Sequence, residues 1–384
     1  MTSTALAPTP SQWPLVGRDG ELRVLTELVF RPDSRGVVVD GPAGVGKTRL
    51  ALECLRAAER SGLATARVAG TRTAVGMAYA AMAPLVAEPG PDVMRRDTAD
   101  VLRQFAAAMA QRAGGARLVL MVDDAQYLDR SSATLLYQLA ASGAAVLVVT
   151  LRTDEDPPEP ITGLWRDGLL ERFELEGLDG ETIEQMLGVV LGGPISRAAV
   201  ARLAARCRGN LLFLRELVLG ALDTGVLAAQ GGIWSLTGPL APSPRLVELI
   251  EARMVSLGDG ERLVLEALAA SDSLGLAELT ALADASAVDH LEAGGHMVRS
   301  RSGRRVAFHL AHPLYREVLE ANRSVLRFRR LATTVADALE GTGARRQDDV
   351  LALARWRLDA GRADPELLLR GADDAWRRYD YPLA

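Results

Sequence analysis

Lysine is almost missing from this chain: of its 44 basic residues one, Lys47, is a lysine and the rest are arginine. Arginine is a planar fork and lysine a compact point charge, so the position that kept its ammonium is one where the two do not interchange. Cysteine is equally scarce, with Cys54 and Cys207 the only two in 384 residues. Both sit in apolar helical surroundings, which predicts small core side chains in a reducing compartment, not a disulfide. The four histidines, His290, His296, His309 and His312, have no cysteine near them and no H-x-x-x-H pair on a helix, so no zinc site is expected. Long apolar runs are absent too. Stretches such as Ala144 to Leu151 fall far below the ~20 residues of a membrane helix, so no membrane contact is expected. Met1 to Pro14 has neither the basic start nor the apolar core of a secretory signal and reads as a short disordered leader. Excess positive charge is missing as well: a net charge of −5 speaks against nonspecific nucleic-acid binding as the main activity.

What is present is aliphatic. A hydrophobic content of 48% excludes disorder throughout, and the length predicts two or three packed units. From Val16 to about Leu178, short apolar runs alternate with helical stretches, the pattern of a parallel sheet with crossover helices. Strands are expected at Val37–Asp40, Ala66–Ala69, Leu118–Asp123, Val146–Leu151 and Arg172–Leu175, with helices such as Lys47–Glu59 and Thr98–Arg112 between them. Beyond Leu178 the spacing predicts a small all-helical unit, with helices at Gly180–Leu191, Arg197–Arg208 and Leu212–Leu222. A Pro/Gly/Ser-rich stretch, Gly238–Pro244, then marks a boundary.

After it come short helices at Arg245–Leu257, Glu261–Ala270, Leu276–Ala283 and Ala287–Ala293. Met297–Arg301, the turn Ser302–Gly303 and Arg304–His309 form a basic hairpin, so helices plus hairpin suggest a winged-helix module. The hairpin arginines Arg299, Arg301, Arg304 and Arg305 suit either a DNA-contacting wing or a solvated turn, and no neighbouring helix offers a polar base-reading face. From Gln347 onward the apolar spacing suggests paired helices that open a helical repeat, which predicts further chain beyond Ala384.

Chemistry is concentrated near the lone lysine. Gly41-Pro42-Ala43-Gly44-Val45-Gly46-Lys47-Thr48 matches the phosphate-binding loop G-x-x-x-x-G-K-[ST], with a strand before it and the helix starting near Arg49 after it. In that geometry backbone N–H groups face a polyphosphate, Lys47 bridges the β- and γ-phosphates, and Thr48 ligates Mg²⁺. Leu118–Asp124 is an apolar strand ending in two acids. Asp123 is expected to hold Mg²⁺ through water, and Asp124 to orient or deprotonate the attacking water. Arg152, at the carboxyl end of a later strand, is placed to contact the γ-phosphate.

Together these segments resemble the signal-transduction ATPases with numerous domains (STAND), specifically the large ATP-binding LuxR-type regulators of actinobacteria. Leu15-Val16-Gly17-Arg18-Asp19 looks like that family's adenine-side motif, and Thr150-Leu151-Arg152 looks like its sensor. Gly209-Asn210-Leu211-Leu212-Phe213 is similar to its Gly-Asn-Pro helix start, and Phe308–Leu314 resembles a winged-helix segment with a nucleotide-facing histidine, here His312. The family usually has proline where this chain has Leu211, which implies looser ADP retention.

The resemblance covers about Leu15 to Ala338. It implies an additional-strand α/β nucleotide-binding domain over residues 15–178, a helical lid over 179–240, a winged helix over 241–340 and the start of a tetratricopeptide-like repeat over 341–384. It also implies a cytoplasmic, slow Mg²⁺-dependent ATP/ADP switch that self-associates in the ATP state. An inducer or regulatory protein would act on it, and DNA would be reached only through a further C-terminal domain. The alternative is an initiator-type ATPase that loads onto DNA through its own winged helix.

Overall fold

The structure, a computed structural model, describes residues 13–85, 98–115, 117–153, 155–255, 257–271, 273–302, 305–321, 323–341, 347–362 and 364–377. Gly303 of the expected turn Ser302–Gly303, Arg304 and all but the last two residues of the expected leader lie outside them. The chain divides into two compact units, Met1–Val218 with Leu222–Pro239, and Leu240–Ala384 with Leu219–Ala221.

The first unit is built on a parallel sheet of β1 (Gly36–Gly41), β2 (Ala64–Ala69), β3 (Leu118–Asp123), β4 (Val146–Arg152) and β5 (Glu171–Glu174). Their order is β2-β3-β4-β1-β5, so β4 is the additional strand inserted between β1 and β3. β1 and β3 are buried at every position, as strands covered on both faces must be. Alternate side chains divide between two cores, because successive residues of a strand point to opposite faces. Val38, Leu120, Val122, Leu147 and Val149 join Leu135, Leu136 and Leu139 of the helix Arg130–Ser142. On the other face, Val37, Val39, Val119, Met121 and Val148 meet Leu25 and Val29 of the helix Asp19–Phe30 and Leu50 and Cys54 of the helix Lys47–Arg60. Burial pushes the Cys54 thiol up to about 12, so it remains a protonated core side chain. Charged residues occupy most of the edge strand β5, a composition that discourages pairing with another chain.

Three helices, Gly180–Leu191, Arg197–Cys207 and Leu211–Asp223, follow as expected from their spacing. The expectation of an all-helical stretch is corrected here, because β6 (Leu227–Gln230) and β7 (Ile233–Leu236) form an antiparallel hairpin. Its two-residue turn, Gly231-Gly232, has φ of +60° and +82°, the left-handed pair that matches strand twist in a tight hairpin. The short strands carry little β-branched or alternating sequence, so only the glycine pair announces them.

In the second unit, β8 (Leu274–Gly275), β9 (Met297–Ser302) and β10 (Arg305–Leu310) make an antiparallel sheet in the order β8-β10-β9. Around it lie the helices Pro244–Met254, Asp259–Ala270, Leu276–Leu282, Ala285–Ala293 and Pro313–Ala321. Val325–Gly341, Gln347–Asp359 and Pro365–Arg377 continue as helices, the last two forming the pair that the spacing predicts. Among the described residues no helix is long and apolar enough to cross a membrane.

Candidate functional site

The phosphate loop leaves the carboxyl end of β1 and enters the helix Lys47–Arg60. That helix begins at Gly46 without any side-chain cap, so its first N–H groups are left for an anion. Nζ of Lys47 donates to the carbonyls of Gly41 and Pro42, at 2.7 and 2.8 Å. Those bonds fold the side chain back over the loop, and a compact ammonium and a planar guanidinium fork do not interchange in such a bond pattern.

The loop is covered from a distant part of the same unit. Nδ2 of Asn210 donates to the carbonyl of Ala43 at 2.8 Å, and the backbone N–H of Leu212 donates to that of Gly44 at 3.0 Å. Asn210 also caps its own helix, its Oδ1 accepting from the N–H of Phe213. Gly44 has φ of +88°, and a Cβ there would lie 2.5 Å from Oδ1 of Asn210. Only glycine allows that approach.

At the end of β3, Oδ1 of Asp123 accepts from the hydroxyls of Thr48 and Thr150, each at 2.8 Å, and Oδ2 accepts from Arg67 at 2.9 Å. Asp124 takes a left-handed backbone, φ 48°, with its N–H donating to Oγ1 of Thr150. Aspartate tolerates that conformation better than most residues, and it turns the second acid away from the line of the strand. Nε of Arg152 lies 3.3 Å from Oδ1 of Asp124, and its Nη1 lies 3.4 Å from Oε1 of Glu155. Burial pulls the Arg152 guanidinium down, but Asp124, Tyr127 and Glu155 outweigh it and hold it above the usual arginine value. Tyr127 lies beneath two cations, with Arg72 and Arg152 at 5.1 and 5.4 Å from its ring centre. Its hydroxyl donates to Glu155 and accepts from Arg72.

These groups surround a cleft of about 390 Å³ lined by Ala43, Gly44, Gly46, Lys47, Thr48, Arg49, Asp124, Arg152 and Leu211, with Trp13, Leu52, Leu212 and Arg215. Asp123 reaches it through Thr48. Val45 is buried in the core. The cleft fits a nucleotide: an uncapped helix start and an ammonium for phosphates, and a hydroxyl beside a carboxylate for Mg²⁺.

Several expected residues are placed differently. Trp13, assigned to the leader, is buried and lines the cleft. Arg18 is spent internally, donating to Glu21 and to the carbonyl of Glu176 at 2.6 Å, and with Gly17 it lines a separate cleft beside Asp179 and Thr182. Neither they nor Val16 are among the residues lining the phosphate cleft. His312 belongs to the second unit, where its Nδ1 accepts from the N–H of Leu314 at 3.3 Å. Arg67 and Glu155 were missed by spacing, and Thr150 entered only within the segment Thr150-Leu151-Arg152, with no role of its own. A threonine within an apolar strand was the one available signal among them.

Among curated sequences none matches the chain. Among solved structures, the STAND protein with a tetratricopeptide repeat sensor from Pyrococcus horikoshii is 17% identical, with a TM-score of 0.36 over 96% of this chain. The chain spans 52% of the length of that protein. The ORC1 protein of Aeropyrum pernix, solved in complex with DNA, is 15% identical, with a TM-score of 0.45 over 83% of this chain and 96% of that one. At TM-scores below 0.5 neither likeness extends to function. Residues 14–149, from the residue after Trp13 almost to the end of β4, match the family model of the AAA ATPase domain.

Proposed function

We propose that this chain is a nucleotide-controlled switch that binds ATP and ADP with Mg²⁺, turns ATP over slowly, and forms the regulatory ATPase part of a LuxR-type transcriptional activator. The observation that carries the reading is the convergence of Lys47, Thr48, Asp124 and Arg152 on one cleft covered by Leu211, Leu212 and Arg215. Lys47 and the open helix start would bind the phosphates. Thr48 would hold Mg²⁺ directly and Asp123 through water; the cation, when bound, neutralises charge that develops on the transferred phosphoryl group. Asp124 would orient the attacking water and take its proton, and Arg152 would register the γ-phosphate. A ligand shifts a two-state protein only by its differential affinity for the two states. ADP is therefore assigned to a closed state and ATP to an open, self-associating one. An inducer acting on the repeats, a cytoplasmic location and a further DNA-binding domain belong to this reading.

The test is nucleotide binding by calorimetry. Wild type should bind ATP and ADP, Lys47→Ala should bind neither while keeping its melting temperature, and Lys47→Arg should be strongly impaired. Wild-type affinity in Lys47→Arg would refute the role of the ammonium.

A second reading, an initiator-type ATPase that contacts DNA itself, is favoured by Arg299 and Arg301, which stand exposed on β9. Arg299 already pairs with Glu292 at 3.3 Å. Duplex DNA binding that weakens steeply with salt would support this reading, because released counterions set that slope.

A further inference from the structure

The carboxylate of Asp123 accepts from three donors. The hydroxyls of Thr48 and Thr150 share Oδ1, each at 2.8 Å, and Arg67 holds Oδ2 at 2.9 Å. Each oxygen of a carboxylate offers about two lone-pair sites. Oδ1 is therefore full, and Oδ2 keeps one site. On the reading that Asp123 holds Mg²⁺ through water, that water and Arg67 share Oδ2.

Arg67 comes from β2, the edge strand beside β3, where it is in register with Met121 and reaches along the strand to Asp123. Its side chain is 45% exposed, and that of Asp123 is 9% exposed. Among the described residues Asp123 is its one side-chain partner. A buried carboxylate without a counter-charge is costly, and Arg67 supplies that charge. Orientation does not depend on it, because two neutral hydroxyls already fix Oδ1. What Arg67 adds is charge, and a positive charge beside a cation site opposes the cation.

We infer that Arg67 is an internal counter-ion that sets the Mg²⁺ dependence of nucleotide binding: it neutralises Asp123 and so weakens the hold of that acid on the cation. The inference deepens the nucleotide reading and rests on it. Arg67 and Thr150 donate to the same carboxylate, yet their removal acts in opposite directions, since the hydroxyl orients without charge.

The test is calorimetry of ATP binding to the full chain across a Mg²⁺ titration, with the melting temperature of the ligand-free chain measured alongside. Arg67→Gln keeps a donor and removes the charge. It should reach its half-maximal Mg²⁺ effect at about tenfold lower free Mg²⁺, the order of one like charge removed from beside a dication in a partly solvated site. Its melting temperature should fall slightly. Arg67→Met, neutral and without a donor, should shift the titration the same way, and Arg67→Lys should restore the wild-type midpoint.

A merely structural arginine would lower stability and Mg²⁺ affinity together. An unchanged or weaker Mg²⁺ effect in either neutral variant therefore overturns the inference and leaves nucleotide binding standing. So does a shift in Arg67→Lys equal to that in Arg67→Gln, which would trace the effect to shape and not to charge. ATP binding by wild type that ignores Mg²⁺ also overturns it, and takes Asp123 out of the metal site. Failure of wild type to bind ATP at all overturns the nucleotide reading as well.

Discussion

The hydroxyl of Thr48 donates to Oδ1 of Asp123 across 2.8 Å, joining the phosphate loop to the end of the strand that carries both acids. A hydroxyl that spends its hydrogen on Asp123 keeps its lone pairs for a cation. On the proposed reading the pair would form half of a Mg²⁺ site, which the phosphates of the ligand would complete.

Thr48→Ala should therefore erase the Mg²⁺-dependent share of ATP affinity. Calorimetry in Mg²⁺ and in chelator should give converging values for the variant, and Thr48→Ser should restore the gap. Thr150→Val removes the second hydroxyl on the same oxygen without changing shape. As an outer partner of a metal-holding carboxylate, it should lower apparent Mg²⁺ affinity by roughly 10–100-fold. A gap untouched by either substitution would remove Thr48 and Asp123 from the metal site.

Asp124 and Arg152 test the chemical step. Asp124→Asn cannot accept the proton of water, so single-turnover hydrolysis should slow by ~10²–10⁴-fold while Mg²⁺-ATP binding is retained. The substitution also loosens Arg152, whose Nε lies 3.3 Å from that carboxylate. Arg152→Ala separates the effects: it should weaken ATP more than ADP and leave Asp124 able to act as base. An unchanged single-turnover rate in Asp124→Asn would move the base elsewhere.

The legible parts of the molecule are those that sequence neighbours define. β3 is readable because a strand buried on both faces is a continuous apolar run, and the two acids mark where that run ends. The phosphate loop is readable because its chemistry is contiguous. Thr150 is not, because its role exists only once β4 lies beside β3, a pairing that brings together residues far apart in the chain. Arg67 and Arg215 are hidden among so many arginines that none is informative by type. Trp13 precedes the first periodic segment, and nothing local marks it as buried. The hairpin β6–β7 shows the converse: its turn is legible, and its strands, buried only at Leu227, are not.

Leu211 is the first residue of the helix that covers the loop, immediately after the capping Asn210. A Cβ on Gly46 would lie 3.6 Å from its Cδ2. Proline is well tolerated at the first helical position, where its missing N–H costs nothing and its φ is already set. Leu211→Pro should keep the fold and slow ADP release in a stopped-flow chase. Asn210→Ala should do the reverse, since it removes both the cap and the bond to Ala43, and should also destabilise the unit by about 1–2 kcal/mol. Faster ADP release from Leu211→Pro would refute this account of the helix start.

His312 lies immediately before the helix Pro313–Ala321, with its Nδ1 accepting from the N–H of Leu314. An accepting Nδ1 places the neutral proton on Nε2, which makes the ring an acceptor toward its own helix and a donor elsewhere. Two roles can then be separated by chemistry. His312→Ala removes cap and donor together and should lower the melting temperature by a few degrees, the order expected for losing ~1 kcal/mol of capping. His312→Asn supplies another capping acceptor and should restore that stability. The nucleotide role that the family pattern implies is read in the stable variant: a larger loss of ADP than of ATP affinity in His312→Asn supports it. Equal affinities leave the histidine as a cap alone.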